Sequence, residues 1–396
     1  MRILAIAGEV SGDTHGGALL SCLLARLPGL EAVGIGGPRM EAAGLKTLFP
    51  LEALQVHGLL EVLAHLPRLY RILWALERIL DDDPPDALLL IDYPGFNLKL
   101  AAAAKKRGIP VYYYCSPQVW AWRRGRIKTI AQVVDLMIVL FPFEAPLYRE
   151  AGLEAVFLGH PLVRDPKEVA RGEQAAGEEP TTAMKRQLEA GPWNSDEEGT
   201  PLPVVALMPG SRPSEMDRHL EVLLDSVRLI EAEGFHARWV LPVAPTLDER
   251  PIKQAIEKAG VPVLALEDAF EPLLALADLA LVASGTATLQ TAMSGVPFLV
   301  IYRVAPLTYF LARRLATLPH LSIVNILAGR EVVPELLQGD FTPERVRDAF
   351  LALARDNGSQ AAMRGALGEV TAQLGAPGAY GRAAQLLADR LTGQKG

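Results

Sequence analysis

Short apolar runs recur along the chain, each separated from the next by a stretch with helical patterning. The first set comprises Ile3–Ala7, Ala87–Ile91, Val111–Cys115, Leu136–Leu140 and Ala155–Leu158. The second comprises Val204–Met208, Ala237–Leu241, Val261–Leu264, Leu279–Ala283 and Phe298–Tyr302. Near-continuous apolar strands joined by helices belong to parallel sheets covered on both faces. The pattern therefore predicts an α/β protein with two doubly wound parallel-sheet domains in series. Residues 164–203 between the sets are charged, proline-bearing and without an apolar strand, as expected of a linker or insertion. The expected division is 1–163, 164–203 and 204–375, with a last helix in 376–396 after Gly375-Ala-Pro-Gly378.

Charge narrows the partners. The chain carries 39 Lys/Arg against 46 Asp/Glu, a net −7. Residues 1–165 hold 17 of each sign, whereas 166–200 hold 4 and 8 and so supply −4 of the total. No global basic field exists for nucleic acid. The two cysteines, Cys22 and Cys115, exclude a disulfide framework and a four-cysteine metal site, and suit a reducing compartment. Ile3–Ala7 is too short for a signal-peptide core. The apolar stretch around Leu136–Phe143 is far below the ~20 residues of a membrane crossing.

Open parallel sheets gather ligands beyond the carboxyl ends of their strands. The polar residues directly after the apolar runs are therefore the candidates. Gly8-Glu-Val-Ser-Gly-Asp-Thr-His-Gly-Gly17 is glycine-rich, but its glycines do not fall in the G-x-G-x-x-G register of a dinucleotide site. Its Ser11 or Asp13 is suited to cap the following helix. Asp92, after Leu88-Leu-Leu-Ile91, is placed either to take a proton from a hydroxyl nucleophile or to form a turn. Cys115-Ser-Pro-Gln-Val-Trp-Ala-Trp-Arg-Arg-Gly-Arg126 crowds aromatic and basic residues suited to sugar or phosphate. Met208-Pro-Gly-Ser-Arg212-Pro-Ser-Glu215 and Val282-Ala-Ser-Gly-Thr-Ala-Thr-Leu-Gln290 each place small residues at a helix start, where backbone N–H groups bind anions. Two such cradles in one domain favour a diphosphate, although small residues also serve helix–sheet packing.

Metal binding is not expected, because the histidines do not cluster at ligand spacing. Asp81-Asp82-Asp83 reads as a solvated helix end, while His15 and His160 stand near candidate loops. Between Pro67 and Leu80, Arg68, Arg71 and Arg78 form one stripe at helical spacing, with Trp74 beside it and leucines on another face. Such a helix suits an anionic membrane surface or an ordinary solvated face.

Taken together these segments resemble the lipid-A-disaccharide synthase family of bacterial glycosyltransferases. The resemblance is carried by GEVSGDTHGG (8–17), GGPRMEAAG (36–44), IDYPGFN (91–97), SPQVWAWR (116–123), PFE (142–144), GHPLV (159–163), PGSRPSE (209–215), ASGTATLQ (283–290) and NILAGRE (325–331). It implies a GT-B fold, two Rossmann-like domains facing a cleft, with the C-terminal helix crossing back to the first. It implies inverting transfer of 2,3-diacylglucosamine from UDP to 2,3-diacylglucosamine 1-phosphate, giving a β-1,6 disaccharide and UDP without cofactor or metal. Asp92 matches the family's essential aspartate and is assigned as base. An ordinary aspartate titrates near 3.9, too low for an effective base unless its surroundings raise it, so His15 is the alternative. The UDP side falls to Gly210, Ser211, Arg212, Glu215, Ser284, Gly285, Thr286, Ala287, Gln290 and Asn325. The acceptor side falls to Glu9, Ser11, Gly12, Asp13, Asn97, Ser116, Gln118, Trp120 and Arg123.

The chain departs from the family at Gln290, where glutamate is usual, and at Ser322-Ile-Val-Asn325, where Ser-Leu-Pro-Asn is common. The resemblance places the enzyme in the cytoplasm, peripherally on the inner face of the inner membrane, as monomer or homodimer. Rival readings are a peptidoglycan glucosaminyltransferase-like or UDP-sugar epimerase-like enzyme, and a non-catalytic lipid- or sugar-binding relative. SPQVWAWR argues against the first two, and the missing dinucleotide fingerprint against a nicotinamide oxidoreductase.

Overall fold

A computed structural model describes residues 1–54, 59–119, 125–164, 180–189, 199, 201–305, 309 and 319–393. The chain divides into two compact units, Met1–Asp165 with Leu374–Gly396, and Pro166–Gln373. In chain order the first unit contains β1 (Arg2–Ala7), α1 (Val10–Arg26), β2 (Glu31–Gly36), α2 (Pro38–Ala42), β3 (Lys46–Pro50), α3 (Leu59–Asp82) and β4 (Ala87–Ile91). It continues with α4 (Pro94–Lys106), β5 (Val111–Tyr114), α5 (Arg126–Val133), β6 (Leu136–Val139), α6 (Glu144–Arg149) and β7 (Glu154–Phe157). Its seven strands run parallel in the order β3-β2-β1-β4-β5-β6-β7.

The second unit begins with α7 (Pro180–Glu189), β8 (Val204–Met208), α8 (Pro213–Ala232), β9 (Arg238–Val243), α9 (Glu249–Ala259), β10 (Val263–Glu267) and α10 (Phe270–Leu276). Then come β11 (Leu279–Ala283), α11 (Thr286–Met293), β12 (Phe298–Tyr302), α12 (Ile323–Ala328), β13 (Glu335–Leu337), α13 (Pro343–Ala354) and α14 (Asn357–Ala372). Its six strands are parallel in the order β10-β9-β8-β11-β12-β13. The last helix, α15 (Ala379–Thr392), belongs to the first unit.

The apolar runs become strands because each must cover two faces. All five residues of β4 are buried. Leu88 and Leu90 join one core, and Ala87, Leu89 and Ile91 the other, as the two-residue period of a strand dictates. The second core takes in Ala383, Ala384, Leu387 and Ala388 of α15. Arg26 Nε on α1 bonds Gln385 Oε1 at 3.2 Å, and Arg382 Nε bonds the Leu158 carbonyl at 2.9 Å.

Three strands escape the apolar-run criterion. β2 contains Gly34, whose φ of +151° and approach to the Ala5 carbonyl leave no room for a β-carbon. β3 lies at the sheet edge with alternating exposure, and β13 is three residues long. The segment 164–203 is not all linker. Met184 and Leu188, four residues apart on α7, are buried, giving that short helix an apolar stripe.

Candidate active site

In each sheet the strand order reverses direction at one point, and ligands bind open α/β sheets there. In the first unit that point lies between β1 and β4. Ala7 pairs with Ile91, and Ile91 with Tyr114. The three strands thus end level, bringing Gly8-Glu9, Asp92-Tyr93 and Cys115-Ser116 side by side. Asp92, Tyr93 and Cys115 have φ of +48°, +48° and +64°. Left-handed backbone in non-glycine residues costs energy and clusters at functional sites.

Asp92 is partly buried. Desolvation, then the charge of Glu9, pushes its carboxyl up to about 6, although the Tyr93 N–H bonded to it acts the other way. Its backbone is clamped as well. The Asp92 N–H donates to the Tyr114 carbonyl at 3.0 Å. Its carbonyl accepts from Asn97 Nδ2 at 2.7 Å and from the Tyr113 hydroxyl. The Tyr93 ring covers Gly8, and its hydroxyl donates to the Leu54 carbonyl at 2.6 Å.

Several loop residues have other work than expected. Neither Ser11 nor Asp13 caps α1, which starts at Val10 behind Glu9. Asp13 is buried and accepts from the N–H groups of Gly37, Arg39 and Met40 at 2.8, 3.1 and 3.0 Å. It therefore orders the start of α2. Ser11 and Glu9 are exposed, while Gly12 is buried with Ala7 and the Ile91 carbonyl close by. His15 gives its Nδ1 to the Tyr380 hydroxyl of α15 at 2.8 Å, and burial lowers its pKa. Burial likewise holds the His160 pKa down at about 4.

Ser116 donates to Glu144 Oε1 at 2.7 Å, and Glu144 Oε2 accepts from the N–H groups of Leu140 and Phe141 at 3.1 and 2.9 Å. A buried carboxylate thus ties the loops after β5 and β6 together, a role that only the PFE motif hinted at. Gln118 is exposed; Trp120 and Arg123 lie outside the described residues.

In the second unit the reversal lies between β8 and β11, and a cleft of about 780 Å³ opens there. That volume suits a small-molecule ligand. Gly210, Ser211, Arg212, Glu215, Ser284, Gly285, Thr286, Ala287 and Gln290 all line it. Pro242–Pro245, Ala269, Phe270 and Pro272 add apolar lining that the motifs do not mark, with Asp268 and Glu271 beside them.

The two helix starts differ. At α8, Glu215 Oε2 accepts from the N–H groups of Ser211 and Arg212 at 3.0 and 3.3 Å, a capping box that uses the donors expected to hold an anion. The approach is close, and a β-carbon at Gly210 (φ +126°) would lie 2.3 Å from the same oxygen. What this corner offers is the Arg212 guanidinium, exposed and 3.6 Å from Glu215 Oε1. At α11 the cap is Gly285, which has no side chain to occupy the N–H groups of the first turn. That helix start carries no side-chain cap.

Asn325 does not line the cleft. It is fully buried, and Nδ2 donates to the Val333 carbonyl and Glu335 Oε1, both at 2.8 Å. Its Oδ1 accepts from Val332 and Val333 N–H at 2.7 and 3.0 Å. With its amide saturated, it fastens α12 to the approach to β13. His219 was also missed. It is buried in α8, bonded through Nδ1 to the Pro209 carbonyl at 2.6 Å, and its Nε2 accepts from Arg303 N–H at 2.9 Å. It joins the loop after β8 to the end of β12, and no sequence motif announced it.

Solved structures share the fold over nearly the whole chain. A putative UDP-N-acetylglucosamine 2-epimerase from Listeria monocytogenes aligns with a TM-score of 0.65 at 12% identity, covering 100% of this chain and 97% of that one. UGT89C1 of Arabidopsis thaliana, solved with UDP, aligns at 0.58 and 14%, covering 99% of each. Two doubly wound parallel-sheet domains of this kind make the chain a GT-B protein, the architecture of a broad class of glycosyltransferases. The family model described as lipid-A-disaccharide synthetase matches residues 3–388. The lipid-A-disaccharide synthase of Syntrophus aciditrophicus is 41% identical over 383 residues, 96% of each chain. The chain belongs to the lipid-A-disaccharide synthetase family and is a glycosyltransferase of lipid A disaccharide synthesis.

Proposed function

We propose that the enzyme transfers 2,3-diacylglucosamine from its UDP conjugate to O6 of 2,3-diacylglucosamine 1-phosphate, with inversion. The acceptor O6–H gives its proton to Asp92 as the oxygen attacks the anomeric carbon. The bond from that carbon to the diphosphate breaks, and UDP leaves with the electron pair. The observation that carries this reading is Asp92 itself. It stands at the strand reversal, and its carboxyl is pushed up to about 6 by burial and Glu9, so it is ionised near neutrality yet basic enough to take a proton.

On the donor side, Arg212 and the start of α11 receive the diphosphate, where preorganised positive groups stabilise the developing charge. Gln290 accepts from ribose hydroxyls, and the apolar lining at Pro242–Pro245 and Phe270 receives the base. Among the described residues no three His, Cys, Asp or Glu side chains converge as a metal site. Two of the acceptor-side residues, Asn97 and Asp13, shape the loops that border the substrate. No described helix is long and apolar enough to cross a membrane. The exposed Arg68, Arg71, Trp74 and Arg78 of α3 are the surface by which the enzyme meets anionic lipid.

The test is turnover of UDP-diacylglucosamine with the monosaccharide 1-phosphate, following disaccharide and UDP together with and without a chelator. Equal release of both products, insensitive to chelator, is expected. UDP release without disaccharide would replace transfer by hydrolysis, and loss of activity to the chelator would refute the assignment of the leaving-group charge.

A further inference from the structure

Asp92 and Tyr93 occupy consecutive left-handed conformations, which side-chain-bearing residues adopt only at a cost. Something must hold that turn. The Asp92 N–H is tied to the neighbouring strand through Tyr114. The carbonyl takes two side-chain donors, Asn97 Nδ2 and the Tyr113 hydroxyl. We infer that Tyr113 is a positioning residue for the reaction, its hydroxyl holding the strained turn that presents the Asp92 carboxylate to the acceptor. The inference rests on Asp92 being the base.

Tyr113 is wholly buried in the core against α3 and α4, where a phenylalanine ring would pack as well. Among the described residues its hydroxyl has one acceptor, the Asp92 carbonyl, beside the Asn97 amide. Burial keeps the phenol far above its ordinary pKa, so it remains a donor at any working pH. Asn97 shows how strongly the same carbonyl is held. Its Nδ2 also reaches the Ile91 carbonyl at 3.3 Å, and this orientation leaves Oδ1 buried without a partner among the described residues. A flipped amide would set that oxygen against two carbonyls. A stranded buried acceptor is costly, which marks the turn as a place where local structure is subordinated to geometry.

Tyr113→Phe removes one of the two donors without changing the core volume. The expected result is a kcat about 10–100-fold lower, with both KM values within about twofold. The acid limb of kcat/KM should move down toward the ordinary carboxylate range as the carboxylate leaves its place beside Glu9. Asn97→Ala, which removes the other donor, should move the same limb in the same direction. Tyr112→Phe, on the opposite face of β5, should leave kcat and the limb unchanged. Wild-type kcat and an unmoved limb in Tyr113→Phe would overturn the inference even if the protein melts earlier. A lower kcat with the limb in place would also overturn it, since Tyr113 would then act on something other than Asp92. Full turnover by Asp92→Asn would instead refute the base assignment, so the two failures are distinct.

Discussion

The ring of Tyr93 lies against the backbone of Gly8 so closely that a β-carbon at Gly8 would sit 2.2 Å from Tyr93 Cδ1. The ends of β1 and β4 are thereby locked together through the residue that follows Asp92. Gly8→Ala must push the ring aside and disturb the adjoining turn. We expect kcat to fall at least about 10-fold, with a stability loss of about 1–3 kcal/mol in denaturant unfolding. Retention of wild-type kcat would show that the carboxylate does not depend on this contact.

Asp92 trades stability for chemistry. Its carboxyl goes from 3.8 to about 6 on folding through burial and Glu9, with Tyr113 and Cys115 the other titratable neighbours. Between these values the native state holds more protons than the unfolded state, so stability falls as pH rises from about 4 to 6 and stays lowered above. At about 1.4 kcal/mol per pH unit, the loss is on the order of 2–3 kcal/mol. Asp92→Asn should therefore be more stable than wild type at pH 7.5 and nearly equal to it at pH 4. Its turnover should drop about 10²–10⁴-fold. Wild-type kcat/KM should rise through an apparent pKa near 6. A mutant no more stable at pH 7.5 than the parent would contradict the buried placement.

What the sequence revealed followed from how locally each feature is encoded. Strands buried on both faces announce themselves as apolar runs, so β4, β8 and β11 were plain, and with them the loops that carry Asp92 and Ser284–Thr286. β2 was hidden because Gly34 is required by a contact with another strand, which no local pattern records. Asp13, Glu215 and Asn325 were recognisable as polar residues near the site, but not by what they bind. Their partners are set by the fold: backbone N–H groups for Asp13 and Glu215, and for Asn325 two N–H groups, the Val333 carbonyl and the Glu335 carboxylate, so these residues build loops beside the candidate site. The family motifs identify these positions without separating the two roles.

That separation is measurable on the donor side. Arg212 is exposed beside the cleft, whereas Asn325 spends its amide on four hydrogen bonds inside the protein. Arg212→Ala should weaken UDP binding by about 10–100-fold in calorimetry, the loss of one charge-assisted contact of about 1.5–3 kcal/mol, with little change in melting. Asn325→Ala should melt earlier by several degrees, yet bind UDP within about threefold of wild type where it is still folded. A selective loss of UDP affinity in Asn325→Ala would return that residue to the donor site.

The outer face of α3 offers the remaining test. Trp74 and Tyr70 are 62% and 54% exposed, unusual for large aromatics, and Arg68 and Arg71 are exposed on the same helix. The Arg78 guanidinium lies 5.3 Å from the Trp74 ring centre and 3.7 Å from Asp82, so part of its charge is already compensated. A basic residue at an anionic surface contributes about 1 kcal/mol, and an interfacial tryptophan adds apolar burial. Replacing Arg68, Arg71 and Arg78 by glutamate should lower partition to vesicles containing phosphatidylglycerol by about 100-fold or more at low salt. The difference should shrink as ionic strength rises and screening shortens the field. Trp74→Ala should weaken binding by a smaller factor that salt does not remove. Partition unchanged by the triple substitution would make this an ordinary solvated helix face.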